Sequence, residues 1–219
     1  MSLARVLEPE LMDSDEEAGD YDAMDHAAVN RLFVADLLAV RPQPGDTLDL
    51  GTGTAQIPIE LCRREPACRV LAGDAAVAML ELAHYNVEAA GLIERIQLAQ
   101  IDAKQLPFDA KMFGTVMSNS IVHHIPEPLT VLREAVRVTA EGGALFFRDL
   151  LRPGDESTLA HLVETYAAEC HDRQRKLFAD SLRAALDLAE IRALVSHLGF
   201  AADTVQQTSD RHWTWFAPR

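Results

Sequence analysis

Short apolar runs alternate with stretches of helical periodicity through the middle of this 219-residue chain. Segments at Thr47–Leu50, Val70–Ala72, Ile96–Ile101, Phe113–Ser120 and Ala144–Phe147 have the length and side chains of buried strands. Between the second and third, Ala75–Ala90 reads as a helix that stops at Gly91. Pro128 suits the first turn of another helix. There Leu129, Leu132 and Val136 share a face that Val131, Ala135 and Val138 broaden, and Gly142 lies just past the end. Strands alternating with such helices predict βαβ units and a parallel sheet. The flanks differ. A helix over Ala27–Ala39 precedes the first strand, and a turn at Arg152-Pro153-Gly154-Asp155 follows the last. Leu159, Leu162, Val163, Tyr166 and Cys170 then fall at helical spacing, and another helix covers about Asp187–His197.

The first strand runs straight into a candidate site. Thr47-Leu48-Asp49-Leu50-Gly51-Thr52-Gly53-Thr54-Ala55 is a strand, a two-glycine turn and a helix N-terminus. Such a turn lets a ligand lie against bare backbone. Two phosphate-binding patterns share this geometry, and neither fits. A dinucleotide fingerprint needs a third glycine where Gln56 stands, and the lysine-serine ending of a phosphate loop is absent. Asp49 stands two residues before the first glycine, where its carboxylate would face the turn. It would repel a pyrophosphate and attract a ligand bearing an ammonium and a sulfonium. A plain strand–helix turn is the competing reading.

In this order the string resembles motif I of the class I S-adenosylmethionine-dependent methyltransferases, and later stations resemble the same family. Val70-Leu71-Ala72-Gly73-Asp74 is a strand ending in an acid. The resemblance implies a ribose contact for Asp74, with Ala75 beside it, although Asp is also a favoured helix cap. It implies that Met79 packs on adenine, where an ordinary core role competes. Asp102-Ala103, followed by Leu106-Pro107-Phe108, implies that the Asp102 side chain and the Ala103 backbone read the adenine edge; an Asx turn is the alternative. Phe113–Ser120 and Ile121-Val122-His123-His124-Ile125-Pro126 resemble motif IV with its His-His extension, which places Asn119 beside the transferred methyl group. Gly114 departs from the pattern, since the family often carries an acid there.

The resemblance covers roughly residues 45–150 and extends, as pattern only, to the quinone-biosynthesis branch. It implies an α/β, Rossmann-like fold: a seven-stranded, mostly parallel sheet with helices on both faces. Thr204–Gln206 and Arg211–Phe216 would form a C-terminal antiparallel hairpin. It implies S-adenosyl-L-methionine as cofactor, with Asp49, Gly51 and Gly53 holding the methionyl part and Tyr21 covering that end.

The chain reads as a single domain over 1–219. A helical cap spans 1–40, the cofactor-binding core 45–150, a helical lid 151–185, and the last helix and strands 186–219. A 48% hydrophobic content is ordinary for a soluble globule. No apolar run reaches about 18 residues, so no membrane span is expected, and no basic-then-apolar leader opens the chain. Cys62, Cys68 and Cys170 are odd in number and lack metal-ligand spacing, which fits reduced thiols in a cytoplasmic protein. The net charge of −14 is uneven: nine acids and no Lys or Arg lie between Arg5 and Arg31. The remaining 25 acids face 20 bases with no basic stripe, so nucleic acid is not expected as a partner.

Methyl transfer from a sulfonium is an in-line displacement, in which positioning can supply about 7–11 kcal/mol. A general base adds roughly 10²–10⁴-fold and is needed only where the acceptor must lose a proton. His124 and His123 are the first candidates and Asp149 the next; a capping or packing role competes for the histidines. No metal is expected there, because no carboxylate-rich cluster neighbours the pair in sequence. A cytoplasmic enzyme methylating a small-molecule acceptor is the expectation, with a homodimer left open. A protein or RNA methyltransferase, or a non-catalytic cofactor-binding scaffold meeting a partner through its acidic N-terminal segment, are the alternatives.

Overall fold

Apolar side chains on both faces bury a central set of parallel strands. These are β1 (Asp46–Leu50), β2 (Arg69–Asp74), β3 (Ile96–Gln100) and β4 (Phe113–Asn119) in a computed structural model of the chain. Residues 3–10, 13–23, 26–40 and 46–219 are described, without the side chains of Asp15 and Glu17. The expected core start at residue 45 and one of the nine acids, Asp25, lie outside these residues. β1 pairs in parallel with β2 and with β4, so that Leu48 stands opposite Leu71 on one side and Val116 on the other; β2 pairs in parallel with β3. With β5 (Thr139–Leu150), β6 (Val205–Gln207) and β7 (His212–Pro218), the sheet has seven strands in the order β3-β2-β1-β4-β5-β7-β6. β6 and β7 form the expected antiparallel hairpin.

The chain clusters into two compact units. The first comprises residues 11–119, 130–147 and 216–219. Its core joins Phe33, Val34 and Leu37 of α2 (Ala27–Val40) to Ile59 and Leu61 of α3 (Gln56–Arg64) and to Met117 and Phe146 in the sheet. Phe33 meets Phe146 edge-on at 5.0 Å, a favoured aromatic geometry. α4 (Val77–Ala89) ends where Gly91 was expected to stop it: at φ 68 its N–H bonds Glu88 O, and Leu92 N–H reaches back to Val87 O.

The second unit comprises residues 1–10, 120–129 and 148–215. Leu159 and Leu162 of α6 (Glu156–Tyr166) pack with Leu150 and with Leu182 of α7 (Asp172–Ala184). Asp155 caps α6 by accepting Thr158 N–H at 2.7 Å. Asp187 and Glu190 form a reciprocal capping box on α8 (Leu188–His197). Among the described residues no helix is long and apolar enough to cross a membrane.

One local expectation is corrected. α5 (Pro128–Val138) does begin at Pro128, but the chain enters β5 at Thr139 with no intervening loop, and Gly142 lies inside the strand at φ 74. The cause is the C-terminal residue. Arg219 exchanges backbone hydrogen bonds with Gly142 and Gly143, and its guanidinium donates to the Val136 and Thr139 carbonyls. Those partners satisfy groups that a loop would leave to water.

The departure at Gly114 has a steric answer. A Cβ at Gly114 would meet only the Asp46 carbonyl, at 3.8 Å, whereas one at Gly143 would fall 2.8 Å from Gly114 O and 2.9 Å from Ala140 O. Backbone cannot swing aside as a side chain can. Gly143→Ala is therefore expected to destabilise the protein by about 1–3 kcal/mol, the usual range for overpacking. Gly114→Ala should stay within about 0.5 kcal/mol. Paired urea unfolding curves measure both.

Candidate active site

The two-glycine turn is shaped by its neighbours as much as by its own residues. Gly51, Gly53 and Ala55 take φ values of 70, 53 and 63, an alternation that glycine adopts freely. The Gly51 and Thr52 N–H groups both donate to Gly73 O, at 2.9 and 3.0 Å. Gly53 N–H donates to Asp74 Oδ2 at 2.8 Å, and the other Asp74 oxygen accepts from Ala76 N–H at 2.9 Å. The end of β2 thus fastens the turn after β1. Gly73 makes room for Ile101, whose side chain would have to move if a Cβ stood there, 2.2 Å from its Cδ1.

A cleft opens over this turn, lined by Tyr21, Asp49, Gly51, Thr54, Asn119 and neighbouring residues. It lies at the carboxyl ends of β1 and β4, beside the strand from which the sheet's order reverses, where ligands of open α/β sheets bind. Asp49 is only 2% exposed. Burial pushes its carboxyl up to about 7; the Thr52 hydroxyl opposes the rise and the Asp74 charge adds to it. Among the described residues no cationic side chain is one of the groups acting on Asp49. The Thr54 hydroxyl and Asn119 Oδ1, also in the cleft, are buried without a hydrogen-bond partner. Such groups cost free energy unless a ligand or water meets them. Tyr21, from α1 (Asp15–Asp22), lies 3.6 Å from where a Gly53 Cβ would stand, and burial raises its hydroxyl to about 12.

Other expected residues take various places. Met79 is buried against Ala18, Ala76 and Ala78, with Tyr21 packed on the same cluster. Ala75 follows Asp74 at the strand end, and Ala103 is half-buried. Asp102 is exposed and forms the turn weighed against its adenine role, accepting Lys104 N–H at 2.9 Å and pairing with the Lys104 ammonium at 3.0 Å. It does not line the cleft.

The second unit brings His123, His124 and Asp149 together on a short 3-10 turn (Val122–His124) and on β5. Asp149 Oδ1 lies 2.5 Å from His123 Nδ1 and accepts Leu150 N–H at 2.6 Å, while Oδ2 accepts Val122 N–H at 2.6 Å. Burial alone would raise the Asp149 carboxyl, but the His123 charge and these hydrogen bonds hold it below the usual range. Burial would likewise lower His123, yet Asp149 and Glu8 outweigh it and the imidazole is raised. Burial and the neighbouring His123 charge push His124 down to about 3. Glu8 is the member the sequence did not single out. It lay inside an acidic run, and nothing local marks its contact with a turn more than a hundred residues away.

Residues 48–147 match the family model described as Methyltransferase domain. Demethylmenaquinone methyltransferase of Porphyromonas gingivalis is 30% identical over 142 residues, 62% of this chain and 58% of that protein. The protein of the same name from Thermus thermophilus is 35% identical over 127 residues, 53% of this chain and 57% of that one. The chain thus spans under three-fifths of the length of these relatives. A SAM-dependent methyltransferase structure from Aquifex aeolicus superposes with a TM-score of 0.67 at 15% identity, covering 93% of this chain and 97% of that one, which establishes the likeness of fold.

Asp49 makes stability depend on pH. Its folded pKa is raised, so between about 4 and 7 the unfolded chain releases a proton that the folded chain keeps. Stability is lost as pH rises through that window and levels off above it. Asp49→Asn removes the effect. The ligand-free variant should match the wild type near pH 4 and exceed it by a few kcal/mol at pH 8, as read from urea unfolding of both proteins.

Proposed function

We propose that this chain, which belongs to the class I S-adenosylmethionine-dependent methyltransferases, moves the sulfonium methyl group of S-adenosyl-L-methionine to a small-molecule acceptor. The buried Asp49 carboxylate, without a cation acting on it and in the same cleft as the glycine turn, carries this reading. A ligand bringing positive charge supplies what burial has withheld, and an anionic dinucleotide does not. When bound, the cofactor supplies an electrophilic methyl carbon.

In this reading Asp49 holds the amino-acid ammonium, and Gly51 and Gly53 leave the backbone open to the methionyl chain. Tyr21 covers that end. Each Asp74 oxygen accepts one N–H and keeps a second lone pair for the ribose hydroxyls, so the cap and ribose roles coexist. Ala75, Met79, Ala103 and Asp102 attend the adenosine. Asp102 has the weakest support, because Lys104 already occupies its carboxylate. The unmet Asn119 oxygen and Thr54 hydroxyl stand ready for polar groups of cofactor or acceptor.

Proton handling falls to the histidine pair. Asp149 is a positioning residue: its oxygens are engaged by His123 and by backbone N–H groups. His123 is 3% exposed with both ring nitrogens near carboxylates, which leaves His124 as the member to meet an acceptor. The names of the matched relatives point to a quinone-type acceptor. The acidic charge favours a partner other than nucleic acid. Cys62 and Cys68, buried thiols in no disulfide among the described residues, fit a reducing cytoplasm. A homodimer and the one-domain division with a helical cap and lid complete the proposal.

Two assays test it. Methyl-labelled cofactor should label a naphthoquinol-type compound that extracts into organic solvent; label confined to protein or RNA contradicts the small-molecule reading. Burial lowers the His124 imidazole to about 3, so it is a weak base, and His124→Ala should lower kcat by about 10²-fold, the low end for a general base, if His124 takes a proton from the acceptor. A loss under tenfold removes that role.

A further inference from the structure

Residues 3–10 are laced onto the histidine turn. Arg5 donates from Nε to Ala184 O at 2.7 Å and from Nη2 to the His123 and Ile125 carbonyls at 3.1 and 3.0 Å, while Val6 N–H bonds Arg183 O at 3.1 Å. This strap delivers Glu8. Its Oε1 stands 3.3 Å from His123 Nε2 and 3.2 Å from His124 Nδ1, and the three atoms lie within 4.8 Å of one another. Among the described residues Glu8 Oε1 makes no hydrogen bond: it lies buried between two ring nitrogens, while Ser181 Oγ holds the other carboxylate oxygen.

This spacing is also that of ligands around one shared cation. Bonds of about 2.0–2.2 Å around a tetrahedral metal put its ligand atoms roughly 3.3–3.6 Å apart, close to the two short separations here. We propose that Glu8, His123 and His124 bind a divalent transition metal of the zinc class. Two imidazoles and one carboxylate are a zinc-type donor set, whereas magnesium and calcium prefer oxygen alone.

The outer groups are those of a metal site. Asp149 holds His123 Nδ1 at 2.5 Å, which fixes the ring and presents Nε2, and Ser181 Oγ donates to the second Glu8 oxygen at 3.2 Å. Two carboxylates supply two negative charges against one positive charge on Arg5 and two on the metal. The contact to give up is that between His124 Nδ1 and Pro9 O, at 3.3 Å. Three protein ligands leave a fourth position for water or an acceptor oxygen. The proposal departs from the expectation of no metal at the pair, because the carboxylate that the local sequence lacks comes from the N-terminal strap. The inference goes beyond methyl transfer and does not rest on it; where the metal is bound, His124 would be a ligand and not the proton acceptor.

The test needs neither cofactor nor acceptor. Full-length protein, washed with chelator, is dialysed against Zn²⁺ and its metal content measured. Co²⁺ is then substituted to read the visible absorption of a tetrahedral site. One equivalent of Zn²⁺ per chain is expected, with affinity at least tenfold weaker in both Glu8→Gln and His124→Gln, and no displacement by Mg²⁺. Circular dichroism verifies that each variant is folded. Zn²⁺ should also slow proteolysis within residues 3–10, and should lose that effect in Glu8→Gln. No stoichiometric Zn²⁺ on the wild type, or equal affinity in the folded variants, would overturn the site and assign any binding to other histidines.

Discussion

The grip of β2 on the turn after β1 is the constraint on which the cleft depends. A two-glycine turn is loose by itself, since glycine reaches positive φ at little steric cost but gives up much chain entropy when fixed there. Gly73 O takes two of its N–H groups and Asp74 a third, so the turn is held by a neighbouring strand and not by its own side chains. The same grip fixes the backbone around Asp49 and thereby keeps that carboxylate in its buried position at the cleft wall.

Three carboxylates, two buried and one half-buried, show how surroundings set role. Asp74 is raised by burial, but its oxygens are met by backbone N–H groups. Asp149 is deeper, yet the His123 charge and hydrogen bonds outweigh desolvation and keep it ionised. Asp49 has only the Thr52 hydroxyl set against desolvation, and burial pushes it up to about 7. The first two are satisfied parts of the structure, and the third is poised for a ligand. Burying charge without compensation costs several kcal/mol, so its retention at the wall of a cleft argues for use and against accident.

Much of this was legible in the sequence because it is local. Strand–turn–helix order, the two glycines, the acids ending β1 and β2, and the helix limits at Pro128 and Gly91 follow from patterns within a dozen residues. Asp102 shows the limit of a motif: its turn is visible in sequence, but the choice between binding Lys104 and reading a ligand is not. The continuous entry into β5 depends on Arg219, some eighty residues later. Glu8 and the histidine turn meet only through the chain's tertiary course, so spacing could not reveal them.

The central claim is that the cleft takes a cationic ligand against Asp49. Calorimetry of S-adenosyl-L-methionine binding at pH 6, in two buffers of different ionisation enthalpy, tests it most directly. A neutral Asp49 that ionises on meeting the ligand releases close to one proton, and the apparent enthalpy then differs between buffers. The account predicts that release in the wild type, with weaker binding and no release in Asp49→Asn. Tight binding with no proton release, unchanged in Asp49→Asn, would contradict it.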